Sequence, residues 1–343
     1  MRKLLNTLYV NNPECFLSLE NDNVFVKIDD QVLLKVPLIN LESILTCGYK
    51  GASIRLMFAC AEKGITLSFL SESGRYLGSF VGESRGNILL RKEQYRISDD
   101  IEKCCAIAKN FIFGKLYNAR WVLERATRDY PLRVDVERLK IACANISDIA
   151  KEVLDCDDLD RIRVLEGTAA QYYFAGFNEL ILQNKADFYF TNRNRRPPLD
   201  PLNALLSLAY TILAHDCRGA CEAVGLDAYC GFLHRDKPGR ASLALDLMEE
   251  LRAPVADRFV LSLINRKEIS GEDFEISGSG AVQLTESGRK IFFGAWQQHK
   301  KQVITHPYLK EKIEWGLVPY SQALVLSRLI RGDIDEYPPF LWK

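Results

Sequence analysis

The chain has 343 residues, of which 48% are hydrophobic and 26% are charged. This composition is that of a folded globular protein with enough apolar side chains for more than one domain, and it excludes a disordered chain. The 45 basic and 45 acidic residues cancel, so no overall basic field marks a nucleic-acid-binding protein, and any basic surface must come from local segregation of charge.

Two further classes of protein are disfavoured. No segment offers the ~20 apolar residues that a membrane-spanning helix needs, and the N-terminal residues lack the apolar core and cleavage site of a secretion signal. We therefore expect a cytoplasmic protein that does not associate with a membrane. None of the ten cysteines forms a Cys-x-x-Cys pair, so we expect most of them to be reduced thiols in the core.

The first 97 residues are predicted to form a β-rich domain. Residues 16–38 contain short extended runs separated by turn residues, among them Asn21-Asp22-Asn23, which predicts a meander of hairpins. A short helix from about Ala52 is expected to end at Lys63-Gly64, and the runs ITLSFL and YLGSFVG then bracket another hairpin turn at residues 71–74. Because an open sheet has unpaired edges, this domain favours pairing with a second copy of the chain.

The sequence from Ser98-Asp99-Asp100 onward predicts a helical domain that covers residues 98–343. A locally basic helix is expected from about Asp99 to Arg128, with Lys115 among its basic residues, and a second helix near residues 134–154. The domain is therefore expected to be larger than the β-rich one and mainly α-helical.

The third predicted helix contains an unusual carboxylate. In DRIRVLEGTAAQYYFAGFNEL, Glu166 shares one helical face with Ala170, Tyr173 and Phe177. A carboxylate on such an apolar face must pair with a cation, bind a metal or shift its pKa, because burying it unpaired costs several kcal/mol. An ion pair with an arginine and a metal site are both open as explanations.

The stretch GFLHRDKPGRASLALDLMEELR, residues 231–252, combines a histidine, basic residues and carboxylates. Pro238-Gly239 predicts a loop, and Ser242 is the expected N-cap of the helix that follows. Asp246 and Glu249 lie one turn apart on the face opposite the leucines, and His234 joins them if the loop folds back. Such nitrogen and oxygen ligands suit a divalent ion. The alternative is an ordinary solvated acidic face with an unrelated loop histidine.

A second metal pattern is weaker. Cys217, Cys221, Cys230 and His234 have a spacing that superficially resembles a zinc site. Structural zinc sites usually place two residues between paired cysteines, whereas Cys217 and Cys221 have the spacing of one helical turn. The spacing therefore favours core cysteines, with zinc as the alternative.

The remaining segments yield simpler predictions. Residues 192–198 form a basic, proline-stiffened loop that is either a solvated connector or a contact for phosphates. A helix from Pro201 is expected to end near His215, which would cap it. DFEISGSGAVQLT predicts a hairpin, Thr285 is the expected N-cap of the next helix, and the C-terminal tail is expected to be irregular.

Three motifs together resemble a known family. LEGTAAQYYF around Glu166, then DPLNALLSLAYTIL, then the 231–252 stretch have the order and spacing of the universal CRISPR-associated integrase of spacer acquisition, the Cas-one family. The resemblance extends upstream to Arg91, Gln94 and Tyr95 and to residues 115–118, so it covers nearly the whole chain. It is greatest for the subtype I-C branch.

This resemblance implies an α+β fold and a function. The fold is an N-terminal β-sandwich-like dimerisation domain followed by a larger all-α catalytic domain. The function is that of a metal-dependent DNA endonuclease and strand transferase, in which the 3′-hydroxyl of a spacer precursor attacks a phosphodiester of the CRISPR repeat or leader. The implied assembly contains double-stranded DNA and two integrase homodimers that flank one dimer of the Cas-two protein.

The resemblance also implies the site residues. Glu166, His234 and Glu249 fall on the family's ligands for Mg²⁺ or Mn²⁺, and many members carry aspartate where Glu249 stands, which ligates equally well. Asp246 is the neighbouring acidic residue, and we hypothesise that it positions His234 or a metal-bound water.

The DNA contacts are predicted from position and residue type. We expect Lys237, Arg240 and Arg258 to hold the scissile phosphate and its neighbours. Tyr173 and Tyr210 either line the pocket and stack on bases or belong to the core. Two other functions remain as alternatives: a non-catalytic, zinc-stabilised DNA-binding subunit, and a structural scaffold whose carboxylates only form ion pairs.

Overall fold

The computed structural model of the chain describes residues 7–10, 12–29, 31–41, 43–71, 76–80, 82, 87–189, 191–194, 197–278 and 280–343. The strands are β1 (Thr7–Val10), β2 (Phe16–Glu20), β3 (Asn23–Ile28), β4 (Gln31–Pro37), β5 (Ser43–Cys47), β6 (Thr66–Leu70), β7 (Tyr76–Phe80), β8 (Phe274–Ile276), β9 (Val282–Leu284), β10 (Val303–Thr305) and β11 (Lys312–Glu314). The helices are α1 (Ile54–Lys63), α2 (Ile88–Ser98), α3 (Ile101–Asp129), α4 (Val136–Leu154), α5 (Leu159–Ala175), α6 (Lys185–Phe188), α7 (Pro201–Val224), α8 (Ser242–Glu249), α9 (Arg258–Asn265), α10 (Glu286–Lys300) and α11 (Val318–Ile330).

The chain divides into two compact units. The first contains residues 1–85 and 272–302, and the second contains residues 86–271 and 303–343. Strand-rich sheets followed by a helical region are the α+β organisation that the sequence predicts. The segment 272–302, which the sequence places with the C-terminal domain, lies in the first unit. Within the part of the chain described above, no helix is both long and apolar enough to cross a membrane.

The first unit contains two sheets with a common core. Strands β2, β3 and β4 form the predicted antiparallel meander, while β1, β5, β6 and β7 form a mixed sheet in that order. Leu17 and Val24 of the meander and Ile44 and Leu67 of the mixed sheet are buried in one cluster with Leu56 of α1. Because each sheet buries one apolar face against the other elements, the core closes between them.

Local signals placed the ends of elements in this unit correctly. Ser53 accepts a hydrogen bond from the amide of Leu56 and caps α1, which ends at Gly64 with a φ of 68°. Thr285 accepts from the amide of Gly288 and caps α10 as predicted. Strands β8 and β9 form the predicted hairpin. Strands β6 and β7 also pair antiparallel, although residues 72–74 of their predicted turn lie outside the described residues.

In the described part of the second unit, all regular structure is helical apart from the β10/β11 hairpin. Helix α3 packs against α4, α5 and α8, and α7 packs against α8 and α11. After α8, the backbone from Arg252 to Asp257 forms a π-helical turn. Pro254 lies within this turn, and its missing N–H accounts for the departure from regular α-helix.

Two predicted helix boundaries in this unit are wrong. Residues 88–98, assigned to the strand-rich region, form α2, because Leu90, Gln94 and Ile97 are buried at helical spacing. By contrast, the next helix begins at Ile101, close to its predicted start at about Asp99, with Asp100 accepting from the amide of Lys103. Helix α7 continues past His215 to Val224 and ends at Gly225 with a φ of 87°, so His215 does not cap it.

Candidate active site

The loop that carries His234 is folded onto α8 by one carboxylate. Asp246 accepts hydrogen bonds from the backbone amides of Phe232 (2.7 Å), Leu233 (2.9 Å) and His234 (3.0 Å), and from Nδ1 of His234 (2.5 Å). A Cβ on Gly231 would lie 2.8 Å from Oδ2 of Asp246, so the close approach needs glycine there. His234 is therefore fixed through Nδ1, which leaves Nε2 as the nitrogen that faces away from Asp246.

The alternative of an ordinary solvated acidic face on α8 is wrong. Ser242, Asp246, Glu249 and Glu250 are all buried, with exposed fractions of 0%, 0%, 4% and 0%, because α3, α7 and α11 pack around this helix. Ser242 is the first helical residue and makes no capping hydrogen bond; the position before the helix is Ala241. The carboxylates of α8 are thus buried polar groups that must be paired.

Glu166 and Glu249, the two carboxylates of the predicted metal site, belong to one cluster of four charged side chains. Lys115 of α3 donates to Oε1 of Glu166 of α5 and, over 2.7 Å, to Oε2 of Glu249. Nη2 of Arg252 lies 2.8 Å from Oε1 of Glu249. The side chains of Lys115 and Glu249 are only 12% and 5% exposed, whereas that of Glu166 is 29% exposed. The cluster combines two carboxylates with two cationic side chains, so its formal charges cancel.

The electrostatics of Glu249 reflect this arrangement. Burial acts to raise the pKa of Glu249, but the charges of Arg252 and Lys115 outweigh it and lower the pKa to about 2. His234 makes a smaller contribution in the same direction. Arg163 of α5 donates over 2.8 Å to the carbonyl of Leu233, which ties the helix of Glu166 to the His234 loop.

The donor set of Glu166, His234 and Glu249 suits a divalent ion. As the structure stands, no three His, Cys, Asp or Glu side chains among the described residues are arranged to hold a metal ion, and the ammonium of Lys115 lies between the two glutamates. The position between these carboxylates therefore already holds a positive charge, and two carboxylates with one imidazole are the kinds of oxygen and nitrogen ligand that bind divalent ions. The partner of Glu166 is a lysine rather than the arginine considered from the sequence.

The predicted phosphate contacts lie in different surroundings. Lys237 is exposed in the loop before α8, and Nε of Arg240 lies 3.4 Å from Oγ of Ser242. The guanidinium of Arg258 stacks on the ring of Trp342 at 3.9 Å. Burial, and then the charge of a neighbouring arginine, lowers the pKa of Arg258 to about 10. Contact of these three residues with DNA stays a prediction.

The two predicted tyrosines share one buried carboxylate. Tyr173 and Tyr210 donate to Asp257 over 2.9 Å and 2.6 Å, and burial raises the pKa of Asp257 to about 6. Tyr173 is 5% exposed, so of the two alternatives for this tyrosine, a core residue is the correct one. The ring of Tyr210 is in contact with the guanidinium groups of Arg193 and Arg252, at 5.3 Å and 5.1 Å. Residues 195 and 196 of the basic loop lie outside the described residues.

Sequence reasoning missed the C-terminal tail as a support of the site. Glu250 accepts from the hydroxyl of Tyr337, from Nε2 of Gln322 (2.9 Å) and from the amide of Phe340 (2.6 Å). Asn118 of α3 donates to the carbonyls of Glu250 (2.8 Å) and Phe340 (2.7 Å). The tail lacks regular structure, as predicted, yet Tyr337 and Phe340 are buried. Its apolar residues were the signal that it packs inside.

The zinc pattern finds no support. Cys217 and Cys221 are buried within α7, and all ten cysteines are free thiols. Burial raises the pKa of Cys217 well above its ordinary value, which opposes the thiolate that zinc requires. No arrangement of the described Cys and His side chains is suited to a metal. Cys217 and Cys221 are core residues, whereas Cys230 is only partly buried.

The fold and the site define an α+β protein whose helical unit carries a buried cluster of carboxylates, a lysine and an arginine beside a fixed histidine. The family model for "CRISPR associated protein Cas1" matches residues 8–298, so the chain belongs to the Cas1 family. A relative from Chlorobaculum tepidum, CRISPR-associated endonuclease Cas1 1, is 45% identical over 343 residues, covering 100% of both chains. CRISPR-associated endonuclease Cas1 2 of Rhodospirillum rubrum is 47% identical over 347 residues, again covering 100% of both.

Solved structures share the fold. A casposase bound to integration product has a TM-score of 0.84 at 22% identity, covering 98% of this chain and 94% of that chain. A Cas6-RT-Cas1–Cas2 complex has a TM-score of 0.83 at 24% identity, covering 100% of this chain and 36% of that chain. A CAS1 protein from Thermotoga maritima has a TM-score of 0.82 at 20% identity, covering 95% and 97%.

Proposed function

We propose that this chain is the integrase and endonuclease of CRISPR adaptation, which inserts new spacer DNA into the array. Family membership and the endonuclease names of its relatives support this function. The observation that carries it is the meeting of Glu166 from α5 and Glu249 from α8 at one cation, next to the loop of His234. Distant parts of the chain thereby contribute acidic ligands to one buried position.

Glu166, His234 and Glu249 would hold Mg²⁺ or Mn²⁺. When bound there, the ion supplies Lewis-acid stabilisation of the negative charge that develops on the phosphoryl oxygens. In strand transfer, the 3′-hydroxyl of the incoming fragment attacks an array phosphodiester; a new P–O bond forms, and the 3′-oxygen of the cut strand leaves. Other residues of the chain orient Glu249 and His234 for this strand transfer.

Four further side chains have supporting roles in this proposal. Asp246 accepts from Nδ1 of His234, so Nε2 is the ring nitrogen directed to the metal. Arg252 holds Oε1 of Glu249 and fixes the orientation of that carboxylate. Lys237 and Arg240, on the loop before α8, bind DNA phosphates on either side of the scissile bond.

The proposed assembly contains a homodimer, Cas2 and double-stranded DNA. The edge strand β4 of the first unit exposes Val32, Leu33 and Leu34, with exposed fractions of 47%, 51% and 46%, and an apolar edge strand favours pairing with a second copy. A structure with the same fold was solved in a complex that contains Cas2, which supports Cas2 as a partner. In the assembly that we propose, two Cas1 dimers flank one Cas2 dimer. The motifs favour subtype I-C, and the protein acts in the cytoplasm.

Strand transfer or its reversal on a branched DNA substrate with Mn²⁺ tests the function. We expect rejoining by the wild type and a loss of at least ~100-fold in Glu166→Gln, since even partners outside the ligand shell cost about 10–100-fold. Glu152→Gln is the matched control, because Glu152 is an exposed glutamate of the same unit paired with Arg161. Equal rates for Glu166→Gln and the wild type would contradict the site. Inactivity of all three proteins, even with Cas2 added, would contradict the function.

A further inference from the structure

Lys115 lies where the two proposed metal-binding glutamates meet. Its Nζ contacts Oε1 of Glu166 and Oε2 of Glu249, and its side chain is 12% exposed. The position is built into the fold, because α3 packs against both α5 and α8. Asn118, one turn further along α3, is bonded to the carbonyl of Glu250 at 2.8 Å, which fixes α3 against the end of α8.

Three of the four carboxylate oxygens of Glu166 and Glu249 are already paired with a cation. Oε1 of Glu249 is taken by Arg252, and Oε2 of Glu249 and Oε1 of Glu166 are taken by Lys115. A divalent ion held jointly by the two carboxylates needs the space between them, which the ammonium of Lys115 fills. Two cations in one such space repel each other strongly. The ion and Lys115 therefore exclude each other.

Lys115, not Arg252, is the cation that can leave. Lysine carries a compact ammonium on a flexible four-carbon stem. Arg252 is held at the other oxygen of Glu249, and its guanidinium lies 5.1 Å from the ring centre of Tyr210, whose hydroxyl donates to the buried Asp257. Displacement of Lys115 thus opens the position while Arg252 keeps Glu249 oriented.

We propose that Lys115 is a tethered counter-ion that fills the position between Glu166 and Glu249 in the metal-free protein and competes with the divalent ion for it. This inference rests on the metal site of the proposed function. It has two consequences: the metal-free protein keeps both carboxylates neutralised and in place, and the affinity for metal is reduced by the fraction of molecules in which Lys115 is bound.

Calorimetric titration of the full chain with Mn²⁺ tests this competition. We expect Lys115→Met, which keeps the length of the side chain without its charge, to bind Mn²⁺ about tenfold more tightly or better. Lys109→Met is the matched control, because Lys109 lies on the same helix and pairs with Asp157 instead; its affinity is expected to equal that of the wild type. The tighter binding must disappear in the double variant Lys115→Met/Glu166→Gln.

Thermal melting supplies a second readout that does not depend on activity. In EDTA, Lys115→Met is expected to melt below the wild type, because Glu166 and Glu249 lose their shared cation, and Mn²⁺ is expected to raise its melting temperature more than that of the wild type. If the methionine variant does not fold, Lys115→Gln, which can still donate to the carboxylates, replaces it in both measurements.

The outcomes separate the two proposals. Equal or weaker Mn²⁺ binding by Lys115→Met, with wild-type binding that still depends on Glu166, overturns the counter-ion role and leaves the metal site standing. Wild-type Mn²⁺ binding that is unchanged in Glu166→Gln, or no binding by any variant, overturns the metal site and the counter-ion role together.

Discussion

Replacing Asp246 with asparagine tests how the loop of His234 is held. The carboxylate is fully buried and accepts four hydrogen bonds, two at each oxygen: the amides of Phe232 and Leu233 at Oδ2, and the amide and Nδ1 of His234 at Oδ1. Asparagine has the same shape but only one acceptor oxygen. Whichever way the amide turns, two of the four donors face an NH₂ group instead of an oxygen.

The magnitude follows from the two donors left without an acceptor. Each costs about 1–3 kcal/mol when buried, so we expect Asp246→Asn to lower the free energy of unfolding by about 4 kcal/mol. Urea denaturation followed by tryptophan fluorescence measures this change. Asp236→Asn is the matched control, because Asp236 is exposed in the same loop, and its effect is expected within about 0.5 kcal/mol.

A catalytic readout distinguishes positioning from stability alone. With an NH₂ group opposite Nδ1, the imidazole of His234 turns, and Mn²⁺-dependent strand transfer by the folded variant is expected to fall about 10–100-fold. An Asp246→Asn protein that unfolds within 0.5 kcal/mol of the wild type and keeps its full rate would refute both the hydrogen-bond accounting and the orienting role.

Two further predictions concern the helical unit. Burial lowers the pKa of His306 to about 4 from the ordinary value of 6.5, so its contribution to stability is present above pH 6.5 and is lost as the pH falls towards 4. Between pH 7 and 4.5, the free energy of unfolding in urea should fall by about 2 kcal/mol more for the wild type than for His306→Asn. Parallel pH profiles of the two proteins would contradict this. Gly114→Ala places a Cβ 2.9 Å from Cβ of Pro339, whereas Gly219→Ala meets nothing within 4 Å. Thermal unfolding should therefore show Gly114→Ala destabilised by about 1–3 kcal/mol and Gly219→Ala stabilised by up to about 1 kcal/mol; the reverse order would show that the tail does not pack against α3.

Local patterns in the sequence determined much of the fold. The turn residues between β2, β3 and β4, the threonine cap of α10 and the glycine that ends α1 are decided by a few neighbouring residues, and all were predicted. Helical spacing also placed Glu166 and Tyr173 on one helix, although α5 ends at Ala175, before Phe177. The order of the motifs indicated the family, because residue types at fixed spacing are properties of the sequence itself.

Tertiary packing decided what surrounds the carboxylates. Periodicity marked Asp246 and Glu249 as a polar face, but only the packing of α3, α7 and α11 around α8 shows that this face is buried. The sequence marked Lys115 only as one of several basic residues on a long helix. The packing of α3 against α5 places it beside Glu166. Glu250 found its partners in the C-terminal tail, at Tyr337 and Phe340. Such pairings join residues far apart in the chain, and local propensity holds no information about which distant side chain will neutralise a buried charge.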